Sequence, residues 1–151
     1  MRLRLERAPY EKLIQQMVYI DENISDIALK AADTRLFVTR KRAELFFKEY
    51  VSELESLLRG AKIVDSPEEN GVNSLPFIVL GSSFTLIDRQ RHIKQCHMAY
   101  DVLSDRKCDV SEIYFLSGAG RSLLWKEVGD SVKTDIGAGL TDYRVHTIKI
   151  D

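Results

Sequence analysis

Apolar residues in the first 62 positions recur with alternating steps of three and four. One stripe contains Tyr10, Leu13, Met17, Ile20, Ile24, Ile27 and Ala31, and a second contains Ala43, Phe47, Tyr50, Leu54, Leu57 and Ala61. This spacing puts the members of each stripe on one side of an α-helix, as in a coiled coil. The pattern therefore predicts two helical arms of about 24 residues each.

Residues that commonly begin or end helices support these two predicted arms. Pro9 stands where the first helical residue is expected, because its missing N–H would have no helical partner there, and Gly60 is suited to ending the second helix. A turn in residues 31–36, with Asp33 or Thr34 as the cap, would fold the two stripes together as an antiparallel hairpin. The alternative is one continuous helix through residue 60 that pairs with another chain.

The hydrophobic period shortens after residue 62. Residues 64–76 contain two of the three prolines and a glycine, which predicts a linker. Short apolar runs then predict strands at 77–80, 83–87, 92–100, 112–115, 131–136 and 143–150, and one short helix at 121–126. The sequence thus predicts an α+β protein, with an antiparallel helical hairpin at 1–63, a linker at 64–76, and an antiparallel β-sheet domain with one short helix at 77–151.

Charge and cysteine content restrict the function classes. The 22 Lys and Arg residues balance 23 Asp and Glu residues, which argues against a protein that coats nucleic acid through bulk charge. No apolar run approaches the roughly 18 residues that cross a bilayer, and no signal peptide is visible, so no membrane partner is expected. Cys96 and Cys108 are too few for a disulfide scaffold, which favours a cytoplasmic protein with reduced thiols.

Charge is uneven along the chain. The predicted tip of the hairpin, residues 30–42, contains one acid, Asp33, beside the basic residues Lys30, Arg35, Arg40, Lys41 and Arg42. The tip is therefore predicted to be basic.

The second half contains a motif that suggests a family. Its pieces are Gly81-Ser-Ser-Phe-Thr-Leu86, Leu116-Ser-Gly-Ala-Gly-Arg-Ser-Leu-Leu-Trp-Lys-Glu-Val-Gly-Asp130, Gly137-Ala-Gly139 and Tyr143-Arg-Val-His-Thr-Ile148. Together they resemble the C-terminal domain of the GreA/GreB-type transcription elongation factors, whose signature reads SP-x-GRALLGK-x-VGD. Gly118 replaces the proline of that signature and Trp125 replaces its second glycine. Residues 53–65 also resemble the end of the Gre coiled coil.

The resemblance implies an FKBP-like C-terminal domain that docks on RNA polymerase at the mouth of its secondary channel. The N-terminal coiled coil would then reach down that channel toward the active site. Carried over by matching position, the polymerase-binding residues are Gly120, Arg121, Leu123, Leu124, Lys126, Gly129 and Asp130. The residues expected at the channel tip are Lys30, Asp33, Arg35, Arg40 and Lys41.

The tip departs from that of the cleavage-competent members of the family. In those members, two acidic residues near the tip help to hold a catalytic magnesium ion, which prefers hard oxygen ligands. Here Asp33 occupies one of these positions and Lys30 the other, and an ammonium group repels the ion. Asp26 could serve only if the turn is misplaced. The arms are also shorter by roughly one to two helical turns.

These departures predict a non-cleaving or divergent member, similar also to the regulator of nucleoside diphosphate kinase. It is expected to be a monomeric regulator of elongation that is not an enzyme, has no catalytic residue, cofactor or metal site, and contacts nucleic acid at most indirectly within the elongation complex. One alternative is a cleavage factor that rescues backtracked polymerase. A second is an FKBP-like peptidyl-prolyl isomerase, which would need an aromatic-lined pocket around Trp125.

Overall fold

The two hydrophobic periods of the sequence correspond to two kinds of architecture in the computed structural model. The structure describes residues 4–32, 39–64, 74–99, 111–115, 117–137 and 139–150. The chain divides into two compact units, 1–71 and 72–151, which we call the helical unit and the sheet unit. The predicted linker falls at this division, and its residues 65–73 lie outside the described parts.

In chain order, the described elements are β1 (Arg4–Glu6), α1 (Arg7–Glu22), α2 (Ile24–Ala31), α3 (Arg40–Arg59), β2 (Lys62–Val64), β3 (Ser82–Asp88), β4 (Ile93–Ala99), β5 (Ser111–Tyr114), α4 (Gly118–Leu123), β6 (Ser131–Asp135) and β7 (Leu140–Ile150). The α+β class predicted from the sequence is confirmed.

The helical unit is an intramolecular hairpin. Helices α1 and α2 both pack against α3, and the chain reverses between Ala31 and Arg40. Leu13, Ile20, Phe47 and Leu54 are fully buried between the arms. Burial of each such side chain stabilises the folded state by about 1.5–3 kcal/mol. The alternative of one continuous helix through residue 60 is therefore wrong.

The first arm is interrupted at Asn23, where the stripe predicts an unbroken helix. Asn23 has φ −121° and ψ 24°, and its side-chain amide donates to the Tyr19 carbonyl at 2.9 Å. An asparagine side chain that binds a nearby carbonyl competes with the helical backbone, which explains the break. Pro9 is the third residue of α1 rather than the first, still within the turn whose N–H groups lack helical partners.

The second arm begins later than predicted. Asp33 and Thr34, the predicted caps, lie outside the described residues, and Thr39 caps α3 by accepting a hydrogen bond from the Arg42 amide at 3.2 Å. The stripe ends at Leu58, which is buried, whereas the predicted Leu57 is half-buried.

Two short strands at the base of the hairpin were not predicted. Strands β1 and β2 pair in parallel, with Arg4 opposite Lys62 and Glu6 opposite Val64. Leu5 between them is 1% exposed. Three residues are too few for a period of two to be recognised in the sequence.

The sheet unit contains a five-stranded sheet in the order β5-β4-β3-β7-β6. Neighbouring strands are antiparallel except β4 and β5, which are parallel, so the prediction of an antiparallel sheet is wrong for this pair. Residues 100–110 connect the two strands, and a connection of that length can return the chain to the same end of the sheet.

Two predicted elements of the sheet unit are displaced. Residues 77–80 are buried but form no strand, and only Phe77 makes an isolated bridge, to Glu127. The short helix occupies 118–123 instead of 121–126, because Ser117 caps it three residues earlier. It packs against β5 and β6, and its Leu123 is fully buried. None of the described helices is both long and apolar enough to cross a membrane.

Candidate functional site

The motif that suggested a family occupies residues 117–130, which we call the signature segment. Its first residue, Ser117, accepts a hydrogen bond from the Gly120 amide at 3.0 Å and donates one to the Tyr114 carbonyl at 2.7 Å. These bonds cap α4 and attach it to the end of β5.

Gly120 occupies a position at which any side chain would clash with the neighbouring backbone. A Cβ atom there would lie 2.2 Å from the Tyr114 oxygen and 2.7 Å from the Phe115 oxygen. Both obstacles are backbone atoms, which cannot rotate away as a side chain can. The glycine is therefore required by the close packing of α4 on β5.

The middle of the segment is bonded to residues 76–78. The Trp125 amide donates to the Ile78 carbonyl at 2.9 Å, and the Ile78 amide donates to the Lys126 carbonyl at 2.9 Å. The Val128 amide adds a bond to the Pro76 carbonyl at 3.2 Å. This short ladder holds the backbone that follows α4.

The segment ends in a tight turn. One carboxylate oxygen of Asp130 accepts from the Glu127 amide at 2.9 Å, and Gly129 has φ +94°, a conformation that favours glycine. The Val145 amide donates to the Asp130 carbonyl at 2.9 Å, which joins the turn to β7.

The seven residues carried over from the family thus fall into two groups. Gly120, Leu123, Gly129 and Asp130 have the structural roles just described. Arg121 is exposed, and Leu124 and Lys126 are half-buried. Among the residues that the structure describes, the side chains of Arg121 and Lys126 make no hydrogen bond or ion pair.

Two further residues of this segment are at least partly exposed and were not among the seven carried over, although Val128 matches the signature. Trp125 is partly exposed and has φ +71°, and Val128 is 51% exposed. Trp125 stood out in the sequence as a replacement for glycine and as the aromatic residue that an isomerase pocket would surround, and nothing in the sequence shows its backbone conformation.

The predicted tip is described in part. Lys30 is exposed in the last turn of α2, and Arg40 and Lys41 are exposed in the first turn of α3. Asp33 and Arg35 lie outside the described residues. The Arg40 Nε atom lies 3.6 Å from the Glu44 carboxylate, one turn further along α3.

Titratable groups elsewhere have structural roles. His97 lies 2.8 Å from a carboxylate oxygen of Glu112 and thereby links β4 to β5. Burial raises the pKa of the Cys96 thiol to about 12, so this group stays protonated and unreactive at neutral pH. Within the described ranges, no three His, Cys, Asp or Glu side chains are grouped to hold a metal ion.

Comparisons with known proteins agree with the signature. The chain is 27% identical over 111 residues to the transcription elongation factor GreA of Sinorhizobium medicae, a match that covers 72% of this chain and 66% of that protein. The GreA of Neisseria meningitidis serogroup A gives the same values. The GreA of Rhizobium leguminosarum bv. viciae is 29% identical over 107 residues, which cover 70% of this chain and 63% of that protein. The matches span slightly less than two thirds of these relatives.

Two solved structures align with this chain along nearly its whole length. The GreA factor homolog 1 (Gfh1) of Thermus thermophilus is 22% identical with a TM-score of 0.43, over 98% of this chain and 99% of that chain. A GreA/GreB factor from Nitrosomonas europaea is 17% identical with a TM-score of 0.48, again over 98% and 99%. No protein-family profile matches the chain. The curated relatives confirm the resemblance drawn from the signature: this chain is similar in sequence to the GreA/GreB-type transcription elongation factors.

Proposed function

We propose that this protein binds RNA polymerase at its secondary channel and modulates transcription elongation without strongly stimulating RNA cleavage. In this proposal the sheet unit is FKBP-like and docks at the mouth of the channel. The helical unit is a coiled coil that enters the channel. The protein acts as a monomer, has no catalytic activity of its own, and meets nucleic acid only inside the elongation complex.

The basic first turn of α3 is the observation that carries this proposal. Arg40, Lys41 and Arg42 occupy that turn, all three exposed, and it contains no acid. The positive end of the helix dipole lies there and disfavours each cation by about 0.3–1 kcal/mol. These charges therefore contribute little to the free energy of folding. They would contribute much more to the free energy of binding a negatively charged partner.

A channel that leads to a metal-dependent active site supplies such a partner. Acidic protein groups and incoming phosphates would both meet the tip. A charge-assisted hydrogen bond is worth about 1.5–3 kcal/mol when partly desolvated. The same charges on a free, exposed hairpin contribute almost nothing. The basic tip thus favours a protein that is held in the channel by electrostatic attraction.

The described residues near the tip also favour a non-cleaving factor. Lys30 occupies a position at which cleavage-competent relatives of this type would need an acid. Asp26 is exposed at the start of α2, about a turn earlier than Lys30. One carboxylate beside an ammonium group is a poor site for a second magnesium ion.

Reversing the charge at the tip tests the proposal. The double variant Arg40→Glu and Lys41→Glu is compared with Lys48→Glu, which changes an exposed cation in the middle of α3. We expect the double variant to need at least about ten times more protein for the same effect on elongation by purified RNA polymerase, corresponding to about 1.4 kcal/mol. Its thermal stability should be equal or slightly higher, because glutamates suit the first turn of a helix.

The salt dependence of elongation supplies an independent readout. The wild-type effect should weaken as salt rises, and the double variant should show a flatter dependence. An unchanged effect in the double variant would show that the basic tip is only a solvated face. Failure of the wild-type protein to bind core RNA polymerase would refute the whole proposal.

A cleavage assay separates this function from the alternative. Wild-type protein added to a backtracked elongation complex should produce little shortened RNA, and Asp33→Ala should change that amount little. Strong cleavage by the wild type that Asp33→Ala abolishes would identify a true cleavage factor.

A further inference from the structure

One face of the five-stranded sheet carries mostly polar side chains. The buried residues Phe84, Leu86 and Val145 belong to the other face, where the core of the sheet unit lies. Side chains alternate along a strand, so the cross-strand partners Thr85 and Thr147 belong to the polar face. Their hydroxyl oxygens lie 2.7 Å apart, as expected for two side chains on the same face. We call the face that contains these two threonines the threonine face.

Two exposed cations of β7 lie on the threonine face. Lys149 is two residues beyond Thr147 and therefore shares its face. Arg144 is next to the buried Val145 and so faces away from the core. It is the cross-strand partner of Ile87, which is two residues beyond a threonine of this face. The two cations are five residues apart along an antiparallel strand, which corresponds to about 17 Å.

A third cation, Lys133, reaches the threonine face from β6. It is the cross-strand partner of Asp142, which lies two residues before Arg144 and therefore on the same face. Lys133 is exposed, as are the two cations of β7. Three positive charges thus lie on two neighbouring strands of one face.

The acids of the threonine face are already bonded, whereas its three cations are not. Asp142 pairs with Arg89 at 2.8 Å, and Glu112 lies 2.8 Å from His97. Asp135 accepts hydrogen bonds from two backbone amides of the β6–β7 turn, at 2.8 and 3.1 Å. Within the parts of the chain that the structure describes, the three cations make no hydrogen bond or ion pair. Their charges are therefore uncompensated.

The neutral residues beside the cations suit phosphate groups. Ser83 is the cross-strand partner of Lys149, and Ser131 is that of Arg144. Hydroxyl, lysine and arginine side chains all donate hydrogen bonds to phosphate oxygens in protein–DNA complexes. The centres of protein–protein interfaces, in contrast, are rich in aromatic residues and poor in lysine and serine. The composition of the threonine face thus favours a nucleic acid over a protein.

The absence of aromatic side chains distinguishes between double-stranded and single-stranded nucleic acid. In the described parts of β3, β4, β6 and β7, no Phe, Tyr or Trp lies on the threonine face. Proteins that bind single strands stack the unpaired bases on such rings. A duplex keeps its bases stacked on one another and presents a regular row of phosphates. The threonine face therefore fits a duplex better.

We propose that the threonine face binds the phosphate backbone of duplex DNA, without preference for base sequence. Lys133, Arg144 and Lys149 each neutralise one phosphate, and the neighbouring hydroxyl groups donate further hydrogen bonds. The distance of about 17 Å between the two cations of β7 corresponds to about five base-pair steps of a DNA strand. Three phosphate contacts give weak binding.

This inference goes beyond the proposed function, because it adds a direct contact with DNA through the sheet unit. Such a weak contact becomes effective when the protein is already held next to DNA, since tethering raises the effective concentration of the two partners. The elongation complex of the proposed function supplies that situation.

Binding of the free, full-length protein to DNA tests the inference without RNA polymerase. A short fluorescently labelled duplex is titrated with protein at several low salt concentrations, and its anisotropy is measured. The logarithm of the association constant should fall with the logarithm of the salt concentration with a slope of about −2.7, which is about −0.9 for each of three phosphates.

A double variant identifies the face that makes the contact. Arg144→Ala combined with Lys149→Ala should weaken duplex binding at least about tenfold at low salt and reduce the slope to about −0.9. The matched control is Lys48→Ala combined with Lys62→Ala, which removes two exposed cations from the helical unit. The control should bind as the wild type does, and both double variants should keep the wild-type thermal stability.

Four results would overturn the inference. Wild-type affinity in the double variant of β7 would place the contact elsewhere, and equal losses in both double variants would indicate attraction by overall charge. Tighter binding of a single strand of the same length, or of polyglutamate, would identify a different partner. Absence of duplex binding at low salt would also overturn it, while the proposed function, which is tested on RNA polymerase, would stand.

Discussion

The signature segment and the hairpin tip differ in how far folding explains their residues. In the signature segment, Gly120, Leu123, Gly129 and Asp130 each satisfy a packing or hydrogen-bonding need of the sheet unit. At the tip, Lys30, Arg40 and Lys41 are exposed, and two of them stand where the helix dipole disfavours them. Most of the matched residues are therefore explained by the needs of the fold. Residues that serve function are better sought among those that folding does not explain.

The same distinction applies within the signature segment. Four of the seven residues carried over from the family would be kept by any protein with this turn and this helix packing. The segment's exposed or partly exposed side chains include Arg121 and Lys126, together with Val128, which also matches the signature, and Trp125, which does not. The difference between the two groups can be tested by substitution.

The largest effect is expected from Gly120→Ala. The added methyl group would lie 2.2 Å from a backbone oxygen, so the cost should exceed the roughly 1–3 kcal/mol of ordinary overpacking. Urea denaturation of the full chain should show loss of the cooperative transition of the sheet unit. The matched control is Gly118→Ala, because nothing lies within 4 Å of its added methyl group. Wild-type stability in Gly120→Ala would reopen the idea that this glycine serves binding.

Phe47→Ala should have the next largest effect. This side chain is 0% exposed in the hairpin core, and its truncation should cost about 3–5 kcal/mol. Amide hydrogen exchange should show the lost protection in α1, α2 and α3. Leu45→Ala, at a site 52% exposed, should change stability by less than about 0.5 kcal/mol. A similar cost for both would mean that the two arms do not pack as described.

How far the fold could be predicted depends on the length of each pattern. Seven stripe positions from Tyr10 to Ala31 were enough to predict a helical arm, but the break at Asn23 was missed because one side-chain bond to the Tyr19 carbonyl decides it. The short apolar run at 112–115 predicted a strand, and the predicted strand direction was wrong because such a run is the same in parallel and antiparallel pairs.

The candidate site was predictable only as a set of residue identities. The 2.2 Å approach at Gly120 depends on where β5 ends, and the φ of +71° at Trp125 depends on the ladder with residues 76–78. Both are tertiary effects that no local pattern encodes. The basic tip was visible because charge is a property of the sequence itself, although the cap at Thr39 was not.

Thr39→Ala should have a smaller effect on stability. Thr39 is the N-cap residue of α3, next to the basic first turn. The variant removes the oxygen that accepts from the Arg42 amide and should cost about 1 kcal/mol, measured by chemical denaturation. Thr39→Asp should retain the bond and add a charge that suits this end of the helix. If Thr39→Ala leaves stability unchanged, α3 does not depend on this cap and the tip is even less determined by folding.

The smallest effect is expected in acid, at the turn between β3 and β4. The His92 amide donates to the Asp88 carboxylate at 2.9 Å and, with other contacts of His92, holds the pKa of that carboxyl below its ordinary value of 3.8. A lowered folded-state pKa stabilises the protein above the unfolded value, and this contribution is lost as pH falls through the folded value. Denaturation at a series of pH values should show wild type and Asp88→Ala converging below pH 3.8. A constant difference down to the lowest pH would contradict this assignment.

The parallel pairing of β1 with β2 has a mechanical consequence. Arg4 starts one strand and Val64 ends the other, so a force applied through the chain on either side of the hairpin pulls at opposite ends of the ladder. The three residue pairs are then loaded in shear and share the tension simultaneously, whereas an antiparallel pair pulled at adjacent ends would open one bond at a time. The base of the hairpin is thus built to resist traction along the chain.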